Sequence, residues 1–210
     1  MTSSLPTLTA LLRLSGPENP TDNRVMDVAR ELFLELGTGF TIDDVVVRSG
    51  VSRATIFRRF GSKDSVIQRT FQREIGTVLT QIVNASAQRP TAAERAVELF
   101  ASTLATAVRQ PMLRHLATSN PAALAQLGST GDPSPLTMVA RVMTDALLLA
   151  AAELGEPLPL PVDHLVDLLI HVVAGYTYFR NGPLEESDEA TIRHAAEVLV
   201  TRLLPTPNHP

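Results

Sequence analysis

The sequence predicts an all-α fold: a small three-helix head followed by a larger helical body, about nine helices in all. Three observations carry that reading. Apolar residues recur at i, i+3, i+4 and i+7 through most of the 210 residues, the repeat of one helix face. No run of apolar–polar alternation is long enough for a strand. Prolines and glycines gather around 128–135, 155–161 and 182–183, where they separate helical segments.

In "NRVMDVARELFLELG" the stripe is Val25, Val28, Ala29, Leu32, Phe33 and Leu36, and Gly37 is a natural stop. Thr41 suits the N-cap of a short second helix carrying Ile42, Val45 and Val46. Asp43 and Asp44 fall in its first turn, where the helix dipole favours acids. Ser49-Gly50 ends it. Ser52 caps a third helix, with Ile56 and Phe60 as an i, i+4 apolar pair. Gly61 breaks that helix, and Ser62 can cap a fourth running to about Gln88. Beyond Pro90, helical segments are expected at about 91–109, in a broken piece near 111–127, and at 135–154, 161–180 and 187–204. Residues 1–20 lack the pattern of a signal peptide and read as a flexible N-terminal arm; 206–210 read as a frayed tail.

With 44% hydrophobic and 19% charged residues, the chain has the composition of a globular protein. It has no cysteine, so it can form no disulfide, thiolate nucleophile or zinc–thiolate site, which suits a reducing cytoplasm. No apolar run reaches the roughly 18 residues of a membrane span. A phosphate-cradling glycine loop, a Gly-x-Ser-x-Gly elbow and a His-Glu-x-x-His pair are all missing. The expectation is therefore a non-enzyme with no catalytic residue and no cofactor.

Charge is unevenly placed. The formal net charge is −4, yet Arg48 to Arg73 holds seven basic residues and one acid, a local +6. A basic patch on an acidic body is the footprint of contact with a polyanion at one place; the alternative is a solvated arginine face. The second helix, the turn at Ser49-Gly50-Val51 and the third helix have the proportions of a helix-turn-helix. Ile42, Val45, Val46, Val51, Ile56 and Phe60 would pack inward. That leaves Arg53, Ala54, Phe57 and Arg58 outward on the third helix, with Thr55 and Arg59 toward its flanks. A helix so presented can enter the roughly 12 Å wide major groove of DNA, where arginine pairs bidentately with guanine.

Residues 24 to about 68 resemble the N-terminal domain of the tetracycline-repressor (TetR) family of transcriptional regulators. The resemblance rests on "TIDDVVVRSGVSRATIFRRFGSKDSV" and on the "VMDVARELFLELG" helix before it, about a fifth of the chain. It implies a helix-turn-helix DNA-binding domain at 21–66 and a ligand-binding and dimerisation domain at 67–205. Arg53, Ala54, Phe57 and Arg58 would lie near bases, and Thr41, Ser52, Thr55, Arg59 and Lys63 near phosphates. Phe57 stands where the family usually has tyrosine, leaving apolar contact only. Asp43 stands where the family can carry a basic or polar DNA contact, and a carboxylate there repels phosphate.

The same resemblance implies a cytoplasmic homodimer that binds a palindromic double-stranded operator as a repressor, released by a small, largely apolar effector. It places the dimer interface on the last two long helices, with Leu165, Leu168, Leu169, Val172, Gly175, Ala195, Ala196 and Leu199 suited to close packing. Met112, His115, Met138, Arg141 and Tyr176 are the candidate effector-pocket residues, chosen around the break at Pro111. The alternative is a constitutive or partner-controlled DNA-binding protein with no small-molecule site. Asp163, His164, Asp167 and His171 share helical spacings that could serve a metal, but such groups on an interface helix more often hydrogen-bond across a symmetry axis, so no metal is expected.

Overall fold

The computed structural model describes residues 19–119, 121, 122, 124, 125, 135–156, 161–179, 182–185 and 187–203. Apart from Asn19 and Pro20, the expected N-terminal arm lies outside them, as do the expected tail and residues 120, 123, 126 and 127 of the 111–127 segment. Nine α-helices are described: α1 Pro20–Leu36, α2 Ile42–Ser49, α3 Arg53–Phe60, α4 Lys63–Ala87, α5 Ala92–Arg109, α6 Pro111–Ser119, α7 Pro135–Leu154, α8 Val162–Tyr178 and α9 Glu189–Leu203. Short 3₁₀ turns sit at Gly37–Gly39 and Pro183–Glu185, and no strand occurs among the described residues. The chain divides into two compact units, one ending at Thr77 and the other starting at Val78.

In the first unit the boundaries follow from local chemistry. Asn19 caps α1, its side chain accepting from the Thr21 amide at 2.9 Å, and Pro20 opens the helix. Gly37 ends it with φ at 62°, a conformation that costs glycine least. The core joins Val25, Met26, Ala29, Leu32 and Phe33 of α1 to Phe40, Val45, Ile56, Phe60, Val66 and Phe71. Phe33 and Phe71 meet edge to face with centroids 5.3 Å apart. Leu36, expected within the stripe of α1, is 53% exposed because the helix ends beside it. Val46 is half-buried and Val47 exposed: an eight-residue helix has only one face for the core.

The unit boundary at Thr77/Val78 lies inside α4, because Val66, Thr70 and Phe71 in the first half of that helix are buried with the head. In the second unit, α5 starts with a capping box between Thr91 and Glu94 and packs against α6, α7, α8 and α9. Leu99, Phe100 and Leu104 of α5, Met143 and Leu147 of α7, Leu165 and Leu169 of α8, and Ile192 and Ala196 of α9 form one buried cluster. Met112 and Met143 are buried core residues, while Met138 is half-buried. The carboxylate of Glu98 is buried among them and accepts from Arg89, Ser102 and Arg193. Burial pushes the Glu98 pKa up, but those hydrogen bonds and the Arg193 charge outweigh it and hold the group at about 2.

Candidate nucleic-acid interface

Two caps and a glycine set the geometry of the interface. Thr41 accepts from the Asp44 amide at 3.2 Å, and the Asp44 carboxylate accepts from the Thr41 amide and hydroxyl at 2.7 Å. These hydrogen bonds, the one from the Thr41 backbone first, hold the Asp44 carboxyl below its usual range. Gly50 ends α2 in the left-handed conformation, φ 67°, its amide donating to the Val46 carbonyl. Ser49 is buried, and its hydroxyl accepts from the Val51 amide at 3.2 Å. Ser52 then caps α3 through the Thr55 amide. The result is two helices joined by a three-residue turn, with Ile56 and Phe60 of α3 fixed in the core.

On the opposite face of α3, Arg53, Ala54, Phe57 and Arg58 are exposed, and Thr55 is half-buried. Phe57 leaves 40% of its surface accessible. The Arg53 guanidinium stands 5.3 Å from the Phe57 ring centroid and donates to the Asp43 carboxylate at 2.5 Å. Arg58 makes no ion pair or hydrogen bond among the described residues. Thr41 and Ser52 are exposed, with their side chains engaged as caps.

Arg59 and Lys63 are held differently from what a phosphate role suggests. Arg59 donates to the buried Asp22 carboxylate, which also accepts from Arg69 at 3.3 Å. The Arg59 hydrogen bond, ahead of its charge and the Arg69 contacts, holds Asp22 below the usual carboxylate range. The Lys63 ammonium donates to the carbonyls of Thr38 at 2.6 Å and Phe40 at 2.9 Å, pinning the α1–α2 connection to the start of α4. Arg48 forms a two-point pair with Glu35, and Arg73 reaches Asp27 at 2.8 Å. Sequence reasoning passed over these acids because they lie 37, 13 and 46 residues from their partners. The signal that could have found them is the charge count of the whole head: residues 19–77 hold nine basic and eight acidic side chains.

In the second unit, Leu165, Leu169 and Ala196 sit in the chain's own core. Leu168 is 45% exposed on α8, Val198 is 47% exposed on α9, and Val172, Gly175, Ala195 and Leu199 are half-buried. His171 donates through Nδ1 to the Asp167 carbonyl at 2.8 Å, and no group of three metal-ligating side chains is assembled among the described residues. An open cleft of about 410 Å³ lies between α4, α5 and the start of α9; Val78, Ile82, Ala105, Thr106 and Arg109 are among its lining. None of Met112, His115, Met138, Arg141 and Tyr176 lines that cleft. Among the described residues, no helix is long and apolar enough to cross a membrane.

Residues 25–70 match the family described as "Bacterial regulatory proteins, tetR family". Among curated proteins, the HTH-type transcriptional repressor Rv3405c of Mycobacterium tuberculosis is 33% identical over 85 residues, 40% of this chain and 44% of the relative. The same figures hold for the HTH-type transcriptional regulator Mb3439c of Mycobacterium bovis, so the match spans less than half the length of these relatives. Among solved structures, a TetR-family transcriptional regulator from Pectobacterium atrosepticum superposes with a TM-score of 0.68 at 17% identity, covering 90% of this chain and 96% of that one. The transcriptional regulator FadR of Bacillus subtilis, solved in complex with stearoyl-CoA, gives a TM-score of 0.61 at 16% identity over 85% of this chain and 96% of its own. At such identities the likeness is one of fold.

Proposed function

We propose that the chain is a bacterial regulatory protein of the tetR type, a dimeric, ligand-responsive repressor that reads a palindromic operator; the match of residues 25–70 to that family supports the reading. The observation that carries the reading is the exposed face of α3. Arg53, Ala54, Phe57 and Arg58 stand clear of the core on a helix anchored by Ile56 and Phe60. Arg53 and Arg58 are the guanine-reading groups, Phe57 meets a thymine methyl, and the hydroxyls of Thr41, Ser52 and Thr55 face phosphates. Thr41, whose hydroxyl donates to Asp44, reaches phosphate only by exchanging its present partner, as do Arg59 and Lys63.

Dimerisation through α8 and α9 uses their outward residues Leu168, Val172, Gly175, Ala195, Val198 and Leu199, since Leu165, Leu169 and Ala196 already serve the chain's own core. The effector is a small, largely apolar molecule bound in the body; a fatty acyl thioester in one relative of the same fold is a precedent for that chemistry. In this reading the protein is a cytoplasmic regulator without enzymatic activity. The test is selection of bound duplexes from the source genome, followed by titration of the enriched sequence and a scrambled duplex. Enrichment of a two-fold symmetric site, bound about 10³-fold or more over the scrambled duplex, supports the reading. Failure to enrich any duplex refutes it.

A further inference from the structure

Among the described residues, Asp43 is the one acid that pairs with the outward face of α3, and it is out of place for a protein gripping a polyanion. It lies in the first turn of α2, while Arg53 is the first residue of α3. Their 2.5 Å contact therefore ties together the starts of the two helices of the motif. Both side chains are open to solvent, at 58% for Arg53 and 70% for Asp43. Pairs that exposed contribute little to stability. The dipole's preference for an acid in the first turn of α2 is already met by Asp44, so the fold gives only a weak reason for a second carboxylate on this face. It also repels phosphate, so affinity for DNA in general does not account for it either.

Placement of the guanidinium does account for it. A free arginine at the start of α3 can swing between base edges and the nearest phosphate, which has no sequence content. Asp43 occupies one N–H of Arg53, through Nη1, and the guanidinium lies 5.3 Å from the Phe57 ring centroid. Tethered to a carboxylate and set over an aromatic ring, the planar group keeps donors free for the bidentate acceptors of a guanine. Arg58, on the same face, has no such tether. Resting on the DNA-binding reading above, we propose that Asp43 is a specificity-positioning residue: it holds Arg53 away from phosphates and presents it to a guanine base.

The test compares Asp43→Asn with the unsubstituted protein on two duplexes, one selected from a random-sequence library by the unsubstituted protein and one scrambled, across a salt series. Asparagine keeps the size of the side chain and removes its charge. Random-duplex binding is expected to tighten about tenfold, with its salt slope steeper by about one unit for each arginine released to phosphate. Binding to the selected duplex stays level or weakens, so discrimination falls roughly tenfold or more. Asp43→Glu, which keeps the charge with a longer reach, restores most of that discrimination. Arg53→Lys keeps a cation beside Asp43 but loses the planar fork, and so loses affinity for the selected duplex alone. Equal tightening on both duplexes makes Asp43 a bulk charge and overturns the inference. No change on either duplex does the same, while the DNA-binding reading stands. If the unsubstituted protein enriches no duplex, that reading fails and the inference with it.

Discussion

Replacing Glu98 by glutamine keeps the shape of the side chain and removes its charge from a site that three partners surround. The carboxylate accepts from Arg89 Nη2 at 2.6 Å, Arg193 Nη1 at 2.6 Å and Ser102 Oγ at 2.7 Å. It thereby clamps α5 to α9 and to the turn after α4. Folding lowers its pKa from 4.5 to about 2. By linkage that difference corresponds to about 3 kcal/mol of stability. A carboxylate held below its unfolded value stabilises the protein above about pH 4.5, and the contribution fades as pH falls toward 2. Glu98→Gln should therefore unfold at lower urea, by about 3 kcal/mol at pH 7, with the gap from the unsubstituted protein constant down to about pH 5 and closing toward pH 2. Urea titrations at pH 7, 5, 3.5 and 2.5 measure it. A difference below about 1 kcal/mol at pH 7, or one that does not change with pH, would refute the electrostatic account of the clamp.

Arg58→Ala should weaken DNA binding while leaving thermal stability within about 0.5 kcal/mol, since Arg58 has no partner among the described residues to strand. Arg59→Ala should instead lower stability by about 1–3 kcal/mol, because buried Asp22 then keeps only Arg69; equal melting temperatures for the two variants would contradict this. Leu168→Asp should yield monomers in sedimentation, since an unpaired charge at a dimer contact costs at least about 2 kcal/mol, roughly 30-fold in dissociation constant; a dimer of unchanged strength would move the interface off α8. Gly50→Ala should cost about 1–2 kcal/mol from backbone strain alone, as nothing lies within 4 Å of an added Cβ; a neutral melt would contradict the strain argument.

The elements of the head were readable because their ends are written locally. Thr41, Ser52 and Ser62 each meet an amide three residues on, and Gly37, Gly50 and Gly61 each follow the last helical residue. Such signals need only a few neighbours and a rotamer. The outward face of α3 was readable for the same reason, since Ile56 and Phe60 fix which side is in. What escaped was pairing across the fold. Arg59 finds Asp22, Arg48 finds Glu35 and Lys63 finds two carbonyls only after α1, α2 and α4 have packed. The face of α8 and α9 was blurred by a related ambiguity. Leucines and alanines repeat all round these helices, and sequence spacing did not separate Leu165, which serves the chain's core, from Leu168, which does not.

Those pairings change what salt should do. Across Arg48–Arg73 the charge is +6, yet nine basic and eight acidic side chains share residues 19–77. If Arg59 and Lys63 keep their internal partners on DNA and Asp43 holds Arg53 off phosphate, the cation left for phosphate on each recognition helix is Arg58. A dimer then neutralises about two phosphates' worth of charge, and log affinity against log salt should slope at about −2. If Arg59 and Lys63 instead exchange Asp22 and the two carbonyls for phosphate, about six phosphates are engaged and the slope approaches about −5. The first outcome is expected, because leaving Asp22 to Arg69 alone strands part of a buried carboxylate, whereas a surface phosphate contact returns little in exchange. Affinity for the selected duplex measured from 50 to 300 mM salt separates the two, and Arg59→Ala at the same conditions should leave the slope unchanged. A slope of about −5 that falls by about two units in that variant would show that the head releases its internal pairs to hold DNA.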